Sequence, residues 1–373
     1  MASLMSGFVP PPYPYERLEA VRELARRHND GPIECSIGTP IDAPPQFVLD
    51  ELAHARGVRG YPPSFGSPQF RESCASWLER RLGVPIEADE IAACIGTKEF
   101  VASLAGYLHL RSPERDTVLY PAISYPTYAM GATLAGLRSV PVRLVDGRLD
   151  LESIDPSDVA RALVLWSNSP SNPTGYLDDL EAVATWGRKH GVLVASDECY
   201  AEFTWTTTPQ TILRWGLRGV LAVHSISKRS NLAGIRAGFY AGDPELVRYL
   251  RLLRQHAGLM VPGPVQSAVA LAYQDDEHVD QQRTRYLNRL TLMSRALEGY
   301  GVSAPVPEGS FYLWCHREGT DGWALASELA EVAGLVTSPG EFYGSDSANF
   351  VRVAVVQPDE RLAVAANRLD EAR

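Results

Sequence analysis

No two cysteines in this sequence are spaced as CxxC, and no His and Cys residues cluster at the spacing of a zinc site. The five cysteines, Cys35, Cys74, Cys94, Cys199 and Cys315, are odd in number and dispersed. That pattern fits reduced thiols in the cytoplasm better than a disulfide framework. A basic excess is missing as well: 35 Lys and Arg stand against 45 Asp and Glu, a formal charge of −10. General nucleic-acid binding needs cations to neutralise phosphates, so we expect none, although a local basic pocket is still allowed. No apolar run approaches the roughly 18 residues of a membrane span. The start, "MASLMSGFVPPPYPYERL", lacks the cationic and apolar stretches of a secretory leader. The expectation is a cytoplasmic protein without a membrane or nucleic-acid partner. Repeats, low-complexity linkers and charge blocks are also absent, so nothing cuts the chain into independent modules.

What is present is enough chain, 373 residues, to bury the core of one large α/β domain and a smaller one. Residues 1–15 are Pro-rich and read as extended. "YERLEAVRELARRH" then places Leu18, Val21, Leu24 and Ala25 at helical spacing, and "PPQFVLDELAHA" and "SPQFRESCASWLERRLG" read as two more helices. In the middle, "RALVLWSNSPSNPTG", "GVLVASDECY" and "GVLAVHSISK" each begin as a short Val/Leu run and break into polar residues. Such runs fit strands buried on both faces of a mostly parallel sheet. "DDLEAVATWGRKHG" reads as a crossover helix stopped by Gly191. Beyond residue 262 long helices dominate, followed by strand-like "SFYLWCH" and "NFVRVAVV" with a helix between them. This predicts an N-terminal segment 1–41 that joins the small domain, a large α/β domain 42–261 and a small α+β domain 262–373.

In open α/β sheets ligands collect beyond the carboxyl ends of the strands. The polar tails Asn168–Gly175, Asp197–Tyr200 and Ser225–Lys228 all fall there. Lys228 follows two serines and precedes Arg236, and a buried lysine of lowered pKa is the usual partner for a carbonyl in a Schiff base. Arg236 and Ser225 suit a phosphate dianion. Asp197, at the end of an apolar strand, would be at home against a protonated pyridine nitrogen, with Tyr200 and Asn172 offering hydrogen bonds to a phenolic oxygen. "CIGTKEFVASLAGYLHL" runs through Gly96 into a helix whose first N–H groups, on Thr97 and Lys98, favour an anion. Tyr125 is a natural plate for an aromatic ring. Together these residues describe a socket for pyridoxal phosphate. Taken singly each has an ordinary reading: an exposed lysine, a turn aspartate, a simple helix start, packing tyrosines, a structural arginine ion pair. Shared order and shared strand-end placement overturn those readings.

"SNSPSNPTG", "SDECY", "SISKRSNLAGIRAGF" and "NFVRVAV", in this order, resemble the class I and II pyridoxal-phosphate aminotransferases of fold type I over essentially the whole chain. The resemblance implies that Lys228 carries the cofactor, Asp197 pairs its ring nitrogen, and Asn172 and Tyr200 contact its ring oxygen. It further implies that Gly96, Thr97, Lys98, Ser225 and Arg236 hold the phosphate, with Tyr125 stacked on the ring. Arg352 then matches the clamp for the substrate α-carboxylate, Gly38 a backbone contact that closes over it, and Tyr61 a tyrosine reaching the phosphate of a neighbouring subunit. A homodimer with shared active sites follows. Many members carry Phe-Gly where this chain has Ser230 and Asn231.

"YPYERLEAVRELARRHNDGPIECSIGTPIDAPP", "GYPPSFGSPQFRE" and "GTKEFVASL" are similar to bacterial N-succinyldiaminopimelate aminotransferases of lysine biosynthesis. That likeness implies ping-pong transfer of an amino group from glutamate to N-succinyl-2-amino-6-oxopimelate. The remote carboxylates of such a substrate call for further cations, and Arg59, Arg71, Lys98 and Arg229 are the candidates by neighbourhood. Alternatives are an aminotransferase for LL-diaminopimelate, aspartate or aromatic and neutral amino acids, or a carbon–sulfur lyase on the same fold. A DNA-binding regulator is disfavoured, because only about forty residues precede "SIGTP".

Overall fold

A computed structural model describes residues 7–373, so the first six residues of the expected extended stretch lie outside the described residues. The continuous Val/Leu runs form the middle of a seven-stranded sheet. Its spatial order is Ile91–Cys94, Gly238–Gly242, Val220–Ser225, Leu193–Asp197, Ala162–Asn168, Thr117–Pro121, Arg138–Val142. Only Gly238–Gly242 runs antiparallel to its neighbours. Every residue of Ala162–Asn168 and of Val220–Ser225 is buried, as strands covered by helices on both faces require. Successive side chains enter opposite layers. Leu165 and Phe239 join one core with Phe70 and Trp77, while Trp166 and Tyr240 join the other with Phe100 and Leu104. The crossover helix Leu180–His190 buries Leu180, Val183, Ala184 and Gly187. Asp179 caps its start, and Gly191, at φ 61°, ends it.

A third core joins the two ends of the chain. Leu18, Val21 and Ala25 pack with Leu290, Leu297, Leu313, Leu329, Val353 and Leu362. The short strand Ile33–Glu34 pairs in parallel with Leu335–Val336. A small antiparallel sheet, Tyr312–His316, Phe350–Ala354, Ser338–Pro339, lies in the same layer. The helix Gly263–Gln274, which the sequence reading placed beyond the 261/262 boundary, packs by Ala268, Val269, Ala272 and Tyr273 into the core of the large sheet. After this helix the chain returns to the third core with helix Glu277–Gly299. Among the described residues no helix is long and apolar enough to cross a membrane, and no group of three His, Cys, Asp or Glu stands together as a metal site.

Candidate active site

Register brings the polar ends of the central strands side by side. Asn168 lies opposite Asp197, and Gly238 links Ser225 to Cys94, which leads into Gly96. A cavity of about 420 Å³ opens above them. Of the residues expected from sequence, Gly38, Thr97, Lys98, Tyr125, Asn172, Asp197, Tyr200, Ser225, Lys228, Arg236 and Arg352 line it. Gly96 is not among the lining residues and stands behind Arg236, which is. Tyr61 does not line it: its side chain is 96% exposed on the surface of the chain.

Lys228 sits in a single helical turn, Ile226–Arg229, started by Ser225, whose hydroxyl accepts the Ser227 N–H at 3.1 Å. Its Nζ donates to the Gly38 carbonyl. Burial pushes its pKa down to about 8, with the Arg352 and Arg236 cations adding to that shift against Cys199 and Asp197. Asp197 is buried; its carboxylate accepts the Tyr128 hydroxyl at 3.0 Å and the Cys199 N–H at 3.2 Å, and burial raises its pKa. Asn168 holds the Asp197 carbonyl at 2.8 Å and, through Oδ1, the Asn172 N–H at 2.7 Å, so Asn172 and Asp197 are fixed to each other.

Across the sheet end, Gly96 begins helix Thr97–Arg111 at φ 74°. A Cβ here would stand 2.2 Å from Arg236 Nη2, so only glycine lets the guanidinium close on the helix N-terminus. Arg236 itself is held at φ 55°, a backbone conformation that a non-glycine residue adopts at a cost, and one common at ligand clamps. On the other wall, the third core contributes Arg352. This side chain is 1% exposed, donates through Nη1 to Asn172 Oδ1 at 2.6 Å and through Nη2 to the Ser36 carbonyl, and lies over the Tyr312 ring at 4.1 Å. Its Nε is buried without a partner, and among the described residues no carboxylate comes within ion-pair distance. Tyr200 Oη and Tyr312 Oη are 2.8 Å apart, and burial holds the Tyr200 hydroxyl well above its ordinary pKa. Gly38 packs against the Tyr312 hydroxyl, since a Cβ there would meet Tyr312 Oη at 2.0 Å.

Two of the cations expected to meet remote substrate carboxylates are corrected by their own partners. Arg71 is buried and bound to Asp89 at 2.7 Å and to the Ala88 carbonyl at 2.8 Å. Arg229 is buried against Glu202 at 3.2 Å and the Ala272 carbonyl at 2.6 Å. A guanidinium withdrawn from water takes a carboxylate of its own chain, and that pairing turned both away from the cavity. Arg59 is exposed and also outside the lining. Lys98 remains at the mouth, its Nζ 3.3 Å from Tyr13 Oη and 4.9 Å from the centre of that ring. Sequence reasoning missed Tyr13, Tyr15, Tyr128, Asn168 and Tyr312, all of which line the cavity. Asn168 stood in the quoted strand tail and was the one within reach of a strand-end argument.

The donor set fits a phosphate-bearing pyridine aldehyde. It offers an anion corner closed by Arg236 on the glycine-led helix start, a buried carboxylate, a lysine of lowered pKa and an aromatic wall. Comparison with known proteins agrees. The family "Aminotransferase class I and II" matches residues 30–369. The chain is 41% identical over 367 residues to 4-dedimethylamino-4-oxo-anhydrotetracycline transaminase of Streptomyces rimosus, covering 96% of this chain and 99% of that one. It is 32% identical to LL-diaminopimelate aminotransferase of Aquifex aeolicus, covering 96% of both. The solved structure of a probable N-succinyldiaminopimelate aminotransferase from Thermus thermophilus superposes with a TM-score of 0.86 at 30% identity, covering 97% of this chain and 100% of that one. The chain therefore belongs to the class I and II aminotransferases, enzymes of fold type I that depend on pyridoxal phosphate.

Proposed function

We propose that this enzyme moves an amino group between glutamate and an oxo acid that bears a carboxylate remote from the reacting carbon, with N-succinyl-2-amino-6-oxopimelate the favoured acceptor. The observation that carries the reading of an α-carboxylate clamp is the state of Arg352. Among the described residues five arginines are buried, Arg71, Arg229, Arg254, Arg289 and Arg352. Four of them hold a carboxylate of the chain itself, and Arg352 alone has none. A buried guanidinium with a free N–H at a cavity wall awaits an anion from outside.

Bound there, pyridoxal phosphate supplies an electrophilic carbonyl and an electron sink for the substrate α-carbon. The chain does the rest. Arg236, the N–H groups of Thr97 and Lys98, and Ser225 hold the phosphate, and Tyr125 stacks on the ring. Asp197 keeps the ring nitrogen protonated, held in place by Tyr128. Asn172 and Tyr200 orient the ring oxygen. Arg352 binds the α-carboxylate, and Gly38 closes over it. Lys228 Nζ lifts the α-proton and delivers it again, a transfer for which an amine of pKa about 8 is well poised. Tyr61, with no role in its own cavity, is assigned to the phosphate of a second subunit in a homodimer. For the remote carboxylate Lys98 is the one surviving cation of the four candidates.

A second reading has its own support. The Streptomyces rimosus relative is named for a polycyclic ketone, and here Tyr13, Tyr15, Tyr125 and Tyr312 give the cavity an aromatic lining suited to a flat ring system. A co-substrate screen decides between them. Cofactor-loaded protein is reduced with glutamate until its visible band bleaches, and oxo acids and cyclic ketones are then tested for restoring it. Restoration by N-succinyl-2-amino-6-oxopimelate above all others supports the first reading; restoration by polycyclic ketones alone overturns it. Pyruvate and ammonia formed with no amino acceptor would mark a lyase instead.

A further inference from the structure

The turn that carries Lys228 is four residues long, too short to hold its own shape. The three residues after the lysine all reach one other stretch of chain. Arg229 donates to the carbonyl of Asp275 at 3.0 Å and to Asp276 at 3.2 Å, Ser230 Oγ lies 2.8 Å from His278 Nε2, and Asn231 Nδ2 donates to Gln282 Oε1 at 3.3 Å. That stretch is the joint between helices Gly263–Gln274 and Glu277–Gly299 together with the first turns of the second helix, where the chain leaves the core of the large sheet for the third core. Ser230 and Asn231 thus tie the end of the lysine turn to this stretch through their own polar side chains.

The Ser230–His278 contact has a defined direction. His278 Nδ1 meets the Asp275 carboxylate, which can only accept, so the ring proton sits on Nδ1 and Nε2 accepts from the Ser230 hydroxyl. Burial holds the imidazole below its ordinary pKa, in keeping with a neutral ring. Serine, histidine and acid in this order form a nucleophile triad elsewhere. Here Ser230 is 1% exposed and lies outside the cavity, so no substrate reaches it. The arrangement braces instead of attacking. We propose that His278, oriented by Asp275, is a positioning residue for Lys228, fixing through Ser230 the turn from which the lysine reaches the cavity.

This inference rests on the reading of Lys228 as the reacting amine, and the experiment separates the two. Stopped-flow mixing of cofactor-loaded protein with glutamate gives the bleaching rate constant at saturation and the glutamate dissociation constant. H278F and S230A should each slow the saturated rate about tenfold, the loss expected for one misdirected hydrogen bond, and leave the dissociation constant within twofold. The double variant should be no slower than either single, because both remove the same bond. H278Q, whose side-chain oxygen can still accept from Ser230, should recover most of the rate. Borohydride reduction and peptide mapping are run on every protein. Label on Lys228 with a wild-type rate in H278F or S230A, or with the loss confined to the dissociation constant, overturns the positioning role alone. Absence of label on Lys228 in the wild type overturns the reading beneath it as well. If H278F does not fold, S230A carries the same expectation.

Discussion

Lys228 is the residue whose state can be measured most directly, because the chain has only three lysines, Lys98, Lys189 and Lys228. Its pKa is depressed from 10.5 to about 8, chiefly by burial. At pH 7 that raises the neutral fraction from about one in three thousand to about one in ten, and the shift corresponds to about 3 kcal/mol against the charged form. Reductive methylation of the cofactor-free protein with ¹³C-formaldehyde gives a methyl signal for each lysine, and Lys228→Met identifies the one of interest. That signal should titrate near pH 8. Lys98 should titrate above its ordinary range, since Tyr125 and Tyr13 hold its proton against the pull of burial. The folded protein releases the Lys228 proton before the unfolded chain does, so stability should rise between about pH 8 and pH 10.5 and gain nothing from this group below pH 8. Lys228→Met should accordingly raise the urea midpoint of the cofactor-free protein at pH 7, by an amount reduced by loss of the bond to the Gly38 carbonyl. Three lysine signals all titrating near pH 10.5 would refute the account of a desolvated amine.

Lys98→Gln should raise KM for a dicarboxylic oxo acid about tenfold or more and leave pyruvate nearly unaffected, as steady-state assays of both acceptors will show. Gly96→Ala drives a Cβ into Arg236 and strains a positive φ, so the protein should fold yet bind pyridoxal phosphate at least about tenfold more weakly by fluorescence titration. Asp197→Asn keeps the shape but removes the charge; it should load cofactor and lose about a hundredfold or more in the glutamate half-reaction, measured by stopped flow.

The parts legible in the sequence were those governed by local periodicity. Ala162–Asn168, Leu193–Asp197 and Val220–Ser225 begin and break where the Val/Leu runs do, because a strand covered on both faces admits no polar residue until its end. The crossover helix and its Gly191 stop were readable for the same reason. Tyr128 and Tyr312 were not, since each meets its partner, Asp197 or Tyr200, across 69 or 112 residues of chain and nothing local marks a tyrosine for that contact. Arg71 and Arg229 misled for the converse reason. Both stand next to motif residues in sequence, but a helix or turn points neighbouring side chains apart, and these two point into buried acids. The helix Gly263–Gln274 shows the same limit at the scale of an element, because its small apolar residues suit either core and only the packing partner decides.

Arg352 and Arg229 allow the distinction between architecture and function to be tested with one substitution. Arg229 neutralises Glu202, which also accepts from Trp77 Nε1 at 2.6 Å and from Arg81 at 3.0 Å, all inside the protein. Removing it leaves Glu202 with Arg81 as its remaining counter-charge and strips the donor from the Ala272 and Asp275 carbonyls, so Arg229→Met should destabilise by about 2–3 kcal/mol. Arg352 has no carboxylate partner among the described residues and donates only to neutral groups, Asn172 Oδ1, the Ser36 carbonyl and the Tyr15 hydroxyl, beside the rings of Tyr312 and Tyr343. The desolvation relieved by its loss offsets the three hydrogen bonds given up, and Arg352→Met should change stability by no more than about 1 kcal/mol. Binding should show the reverse order. Arg352→Met should raise the glutamate KM about a hundredfold, the loss of a bidentate charge-assisted pair, whereas folded Arg229→Met should leave it within a few fold. Equal destabilisation by the two substitutions would mean that Arg352 is structural, and the α-carboxylate would then have to be held elsewhere.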